Sequence, residues 1–309
     1  MRIIFMGTPE SAVPSLRRLI DDGHEIVAVW TQPDKPAGRG KKLQGSPVKQ
    51  FALERGLTIH QPQKIKNDEA KELFVSHNAD VAVVVAYGKI LPQEFLNAPR
   101  QGCVNVHFSL LPKYRGAAPV NWAIVNGETE TGATTMRIVQ ELDAGPILLQ
   151  HAIKIATDET APQLLSKLSD VGADSISETI SNLDQIQPKP QIDSEATFAP
   201  ILKREDGLID WSMDAFAIER RVRGFQPWPT AHTTFRSHRL IIWAAAPEWI
   251  EQLQFTPGQI IEASRDRLIV ACGGGTALRL VEVQPQDSRR MPVRDFLNGT
   301  RVSVGDRCG

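Results

Sequence analysis

The sequence has no cysteine framework. Its three cysteines, Cys103, Cys272 and Cys308, form no CxxC pair and leave one over, which argues against a disulfide scaffold and a zinc ribbon and points to a reducing cytoplasm. A long apolar run is also missing. "MRIIFMGTPE" breaks at Gly7 and Pro9, and no later stretch approaches the roughly 18 apolar residues of a membrane span. A soluble, unsecreted protein with no membrane partner is expected. Nor is there an excess of one charge: 35 basic side chains meet 36 acidic ones for a net of −1, so any nucleic acid must be met by a local basic patch. Finally, no glycine-rich pyrophosphate loop is present. The first turn, "GTPESAVPS", has one glycine, and Gly38-Arg39-Gly40 lacks the third glycine and the feeding strand of a dinucleotide fingerprint. Nicotinamide chemistry is disfavoured.

What the chain does have is length and pattern. At 309 residues with 41% apolar content it can bury a substantial core and favours two domains or one large one. In the first half, "RIIFM", "EIVAVW", "LTIHQ", "DVAVVVAYG" and "CVNVHFSL" alternate with helical stretches such as "SAVPSLRRLIDDG" and "DEAKELFVSH". That alternation is the βαβ signature of a Rossmann-like, mostly parallel sheet. The runs at 2–6 and 80–86 are almost continuously apolar, as strands covered on both faces require. "GATTMRIVQELDAGPILLQHAIKI" reads as two strands joined at "LDAG", followed by a helix over about 160–185.

The texture then changes. "QIQPKPQ" is a proline-interrupted connector, and from about Gly207 short strand-like runs ("RLIIWAA", "GQIIEA", "RLIVACGGG", "ALRLVEV") suggest a small OB-like β-barrel. An α/β domain over 1–189, a linker over 190–206 and a β-barrel over 207–309 are expected. The tail holds thirteen arginines and no lysine against eleven carboxylates. Such a surface is ordinarily just solvated, although arginine suits phosphate and bases. Residues 34–50, "DKPAGRGKKLQGSPVKQ", are more strongly charged, with Lys35, Arg39, Lys41, Lys42 and Lys49 against Asp34. By charge alone this loop is equally a solvated surface or a phosphate-contacting one.

The chemistry is concentrated in "NVHFSLLPKYRG", residues 105–116, where period-2 alternation places Asn105, His107 and Ser109 on one face at the exit of a parallel strand. A strand with one wet face gives the same alternation. His107 as a cation or proton donor, Asn105 as an amide donor and Asp143 in "LDAG" as a carboxylate stabilising the imidazolium suit a carbonyl carbon turning tetrahedral. Taken alone, Asp143 reads more simply as a turn-forming aspartate. No nucleophilic side chain is needed when an amine on the acceptor attacks, and no metal is called for. A serine hydrolase built on Ser109 is countered by the absent G-x-S-x-G elbow. A non-catalytic RNA-binding module leaves Asn105, His107 and Asp143 unused.

"NVHFSLLPKYRGAAPVNWAI" followed by "GATTMRIVQELDAGPILLQ" resembles the signature of the folate-dependent formyltransferases, whose shared Asn, His and downstream Asp match Asn105, His107 and Asp143. Within that family the resemblance is to the members that act on methionyl-tRNA. It extends through "FMGTPESAVPSL", "QPDKPAGRGKK", "VAYGKILP", "TFAPILKREDGLIDW", "RVRGFQPWPTA" and "MPVRDFLNG", nearly the whole chain. Ser11-Ala12 stands where the family often has Phe-Ala, and "QPQDSRR" replaces a glycine-rich, lysine-containing turn.

The resemblance implies transfer of the formyl group of 10-formyltetrahydrofolate to the α-amino group of methionyl-initiator tRNA, an aminosugar nucleotide being the alternative acceptor. It further implies that folate is held by Ser109, Leu110, Leu111 and Pro112 with Tyr87, Gly88, Ile90 and Leu91. The tRNA acceptor arm is implied to meet Arg39 foremost, with Lys35, Lys41 and Lys42. A cytoplasmic monomer is expected.

Overall fold

The computed structural model describes residues 1–37, 42–250 and 255–309. These fall into two compact units, the first made of Met1–Pro119, Glu130–Lys154 and Leu165–Ala199, the second of Val120–Thr129, Ile155–Leu164 and Pro200–Gly309.

The first unit is built on a seven-stranded sheet. Its order is Ile147–Lys154, Glu130–Arg137, Cys103–His107, Val81–Val85, Arg2–Gly7, Glu25–Trp30 and Ile59–His60. The last five strands run parallel, and the first two continue the sheet antiparallel. All five residues of Val81–Val85 are buried, as a central strand with both faces covered demands. On one face Trp30 meets the rings of Phe74 and Phe95 edge-on at 5.2 and 5.5 Å, and those two stack at 4.1 Å. Such aromatic contacts add about 0.5–1.5 kcal/mol each beyond area burial. Sequentially successive strands leave Arg2–Gly7 in opposite directions, so the strand order reverses beside it. Ligands of open α/β sheets bind beyond the carboxyl ends at such a point.

The second unit carries an antiparallel sheet in the order His232–Phe235, His238–Trp249, Thr276–Pro285, Arg267–Ala271 and Ile260–Ser264, with Met291–Pro292 also pairing Thr276–Pro285. This antiparallel ladder is broadly consistent with the expected barrel; among the described residues its two edge strands are not paired directly with each other. The C-terminal residues span the gap: Cys308 bridges Phe235 on one edge, and Arg307 bridges Gln259 beside the other. Helix Ala215–Gly224, capped by Asp214 accepting from the Ala217 N–H at 2.8 Å, supplies Ile218 and Val222 to a core with Leu240, Ile242, Leu268, Val270, Leu278 and Leu280. Several tail arginines are committed to carboxylates, among them Arg236 to Asp306 and both Arg267 and Arg279 to Glu248.

Candidate active site

Strand Cys103–His107 ends at His107, and the backbone then bends. Asn105 and His107 keep the alternation read from the sequence, while Ser109 falls beyond the strand and leaves it. His107 is buried, with its Nε2 2.9 Å from the Tyr114 carbonyl. A carbonyl only accepts, so Nε2 is the donor and carries a hydrogen. That leaves Nδ1 as the ring atom that takes or gives a proton. It lies 3.7 Å from Asp143 Oδ2, within ion-pair range and beyond a direct hydrogen bond.

Asp143 sits in the turn between the two antiparallel strands, in left-handed backbone at φ +50°, a conformation that aspartate tolerates better than most residues. The turn-former and the carboxylate that approaches the imidazole are therefore the same residue. Its Oδ2 also accepts the Gly116 N–H at 2.8 Å. Gly145 closes the turn so tightly that a Cβ there would lie 1.7 Å from the Arg137 carbonyl oxygen.

Asn105, His107 and Asp143 converge on one cavity of about 490 Å3, within the size range of small-molecule sites. Its wall includes Tyr87, Gly88, Lys89, Ile90 and Leu91, which follow the carboxyl end of Val81–Val85, and Ile138, Val139 and Leu142 opposite in sequence. Ile90, Val139 and Leu142 are exposed although apolar. Burial pushes the Tyr87 phenol up to about 12, and its carbonyl accepts from Thr8 Oγ1 and Gln32 Nε2 at 3.1 and 3.0 Å, fixing the start of this loop.

Ser109–Pro112 is placed differently. None of these four residues is on the cavity wall. Ser109 is fully buried, its hydroxyl donates to the Lys113 carbonyl at 2.7 Å and its carbonyl accepts from Thr134 Oγ1. Gln150 Nε2 donates to the Leu111 carbonyl at 2.9 Å. The segment is a braced turn connecting His107 to Tyr114, and the serine is engaged elsewhere than as a nucleophile.

Of the basic loop, Lys35 lies in a short antiparallel pairing of Lys35–Ala37 with Lys42–Gln44, which fixes the main chain at Lys42. Arg39 and Lys41 lie outside the described residues. Lys49 is not a free charge. Its Nζ holds both Asp34 oxygens at 2.8 and 2.6 Å, and this contact, with Gln61, keeps the Asp34 carboxyl below its usual range. Three residues that carry the geometry escaped the sequence reading. Gly116 contributes only its N–H, Arg115 lies buried beside it, and Gln191 comes from the proline-rich connector. A buried arginine in "YRG" is the single sequence cue among them.

Among the described residues no cluster of ligating side chains suits a metal ion, and no helix is long and apolar enough to cross a membrane. Buried Cys103, Cys272 and Cys308 have their thiols pushed up to about 12 by desolvation, so none is a reactive thiolate at neutral pH.

Residues 1–180 match the formyl transferase family, and 201–301 match the formyl transferase C-terminal domain. A methionyl-tRNA formyltransferase of Caldanaerobacter subterraneus subsp. tengcongensis is 49% identical over 312 residues, covering 99% of each chain. One from Solibacter usitatus is 46% identical, covering 100% of this chain and 99% of that one. Among solved structures, an N-formyltransferase from Helicobacter canadensis in complex with folinic acid and dTDP-3-aminofucose superposes with a TM-score of 0.65 at 16% identity, covering 91% of this chain and 98% of that one. HypX from Aquifex aeolicus in complex with tetrahydrofolic acid gives 0.61 at 18%, with 99% of this chain matching 48% of that longer protein. At those identities the structures speak to fold, whereas the two full-length relatives speak to family. The chain belongs to the formyl transferase family, and within it to the methionyl-tRNA formyltransferases.

Proposed function

We infer that the protein transfers the formyl group of 10-formyltetrahydrofolate to the α-amino group of methionine esterified to initiator tRNA. The observation that carries the chemistry is the convergence of Asn105, His107 Nδ1 and Asp143 on one cavity, with His107 held by its other nitrogen. The cavity fits the donor in kind. Its exposed apolar rim of Ile90, Val139 and Leu142 suits a flat ring system, and Tyr87, Gly88 and Leu91 complete that wall. Ser109, Leu110, Leu111 and Pro112 serve it as the braced turn that sets His107.

Bound, the donor supplies an activated formyl carbon. Asn105 then donates from its amide to the formyl oxygen, and His107 donates from Nδ1 to the same oxygen as negative charge grows there. Asp143 opposes the imidazolium charge and relays the attacking amine's proton through water. The uncharged amine attacks the formyl carbon, and as the tetrahedral carbon collapses the bond to the folate nitrogen breaks; that nitrogen takes up the proton the amine gives up and leaves as tetrahydrofolate. Residues 1–189 perform the chemistry, and 207–309, joined through 190–206, bind tRNA together with Arg39, Lys35, Lys41 and Lys42. The protein works as a cytoplasmic monomer.

The acceptor assignment rests on the full-length relatives, since the site chemistry alone serves any primary amine. Labelled 10-formyltetrahydrofolate offered with charged initiator tRNA, charged elongator tRNA and an aminosugar nucleotide tests it. Label on initiator methionine is the expected result, and label on the sugar alone reverses the assignment.

A further inference from the structure

Asp143 acts across a 3.7 Å gap to His107 Nδ1, so its contribution depends on where the turn is held. One side chain grips that turn from behind. Gln191 Nε2 donates to the Asp143 carbonyl and to the Gly145 carbonyl, both at 2.8 Å. It uses both amide hydrogens to span the residues on either side of Ala144.

The amide's orientation is fixed by its other end. Gln191 Oε1 accepts from Arg115 Nε at 2.9 Å. Flipping the amide would set an oxygen against two carbonyl oxygens and an NH2 against a guanidinium, so the hydrogen-bond network admits a single placement. Arg115 is 4% exposed and is held in turn by Asp193 at 2.8 Å. Residue 116, next to it, donates its N–H to Asp143 Oδ2. Lys189 adds a two-way backbone bridge to Ile147, just past the turn. The connector thus grips the turn's main chain through Gln191, and the neighbour of Arg115 grips the carboxylate.

We propose that Gln191, oriented by Arg115, is the positioning residue that sets the Asp143 carboxylate against His107. This rests on the catalytic reading of His107 and Asp143. Gln191 itself touches no reacting atom. With the amide gone, the left-handed turn at Asp143 loses the side-chain hold on its 143 and 145 carbonyls. Small displacements at such second-rank positions reduce turnover by on the order of 10- to 100-fold.

The experiment compares wild type, Gln191→Leu, Asp143→Asn and the double variant for formylation of charged initiator tRNA, with kcat and KM separated. Gln191→Leu is expected to lower kcat at least about 10-fold while KM for both substrates stays within about two-fold. In the Asp143→Asn background the same substitution is expected to cost less than about two-fold, because Gln191 acts through Asp143. Gln191→Glu provides a second variant that keeps shape and the Arg115 contact but sets a carboxylate against two carbonyls. Its kcat relative to wild type is expected to fall as pH rises through the range where that carboxyl ionises, a dependence absent from the Gln191→Leu to wild-type ratio. Wild-type kcat in Gln191→Leu, or an equal loss in both backgrounds, overturns the proposal. Should Gln191→Leu fail to fold, a ratio of Gln191→Glu to wild-type kcat that stays constant across pH overturns it alone. Failure of the wild type to formylate overturns the functional reading instead, and is read in the same assay.

Discussion

His107 shows why residue type and position must be read together. The sequence put Asn105 and His107 on one strand face, and period 2 made that legible. It could not say which imidazole nitrogen is left to face Asp143. The Tyr114 carbonyl, seven residues on, settles that by occupying Nε2, and only the fold brings it there. Ser109 was misplaced by extending the same alternation two residues beyond the strand's end, where the chain turns to be braced by Thr134 and Gln150. At this scale Asn105→Ala is expected to reduce turnover on the order of 100-fold, the usual loss for one oxyanion donor, with tRNA affinity little changed. Rapid-mix rates alongside filter binding check it, and parallel loss of rate and affinity would point to a binding role. Ser109→Ala is expected to leave no trace on labelling by serine-directed fluorophosphonates, since the wild type should not label either.

Elements were more legible than sites, for a physical reason. Each βαβ strand carries its own apolar periodicity, so Arg2–Gly7, Glu25–Trp30, Val81–Val85 and Cys103–His107 all appear as runs in the sequence. Closure of the C-terminal sheet depends on which edges meet, and that is set by single bridges from residues 307 and 308, which leave no periodic mark. The connector containing Gln191 looked like a spacer because proline content hides a side chain's long-range partner. Turns are the elements where one atom decides. Gly145→Ala would put a Cβ against the Arg137 carbonyl at 1.7 Å, so the turn must shift. We expect a loss of about 1–3 kcal/mol in denaturant unfolding together with reduced turnover, because Asp143 moves with it. Helix Pro47–Glu54 begins at Ser46, whose Oγ accepts the Lys49 N–H at 3.1 Å. Ser46→Ala should cost about 1 kcal/mol and leave kcat unaltered; a larger effect on kcat than on stability would tie this cap to the site.

The folded molecule is expected to lose stability as pH falls. His60 and His77 pack beside Trp30 with ring centroids 5.0 Å apart, and burial holds both imidazoles below their ordinary value. The unfolded chain therefore binds protons that the folded one resists. Stability from this pair is fully present above the unfolded histidine value of about 6.5 and is lost as pH falls towards the folded values. Unfolding midpoints should drop between pH 7.5 and pH 5.5, and His77→Leu should flatten that slope; an unchanged slope would exclude the pair. Arg39→Ala belongs to this scale too, because it separates a tRNA from every small acceptor. It is expected to slow formylation of methionyl-tRNA while folate affinity holds, with lysine at 39 restoring charge but not the planar fork.

The most direct measurement is single-turnover transfer from 10-formyltetrahydrofolate to charged initiator tRNA by wild type and His107→Ala, with tRNA dissociation constants from the same preparations. Formylmethionine should accumulate with the wild type and at least about 100-fold more slowly with His107→Ala, while the two dissociation constants agree within about three-fold. Absence of transfer by the wild type, or an undiminished rate in His107→Ala, would contradict both the assigned reaction and the role given to Nδ1.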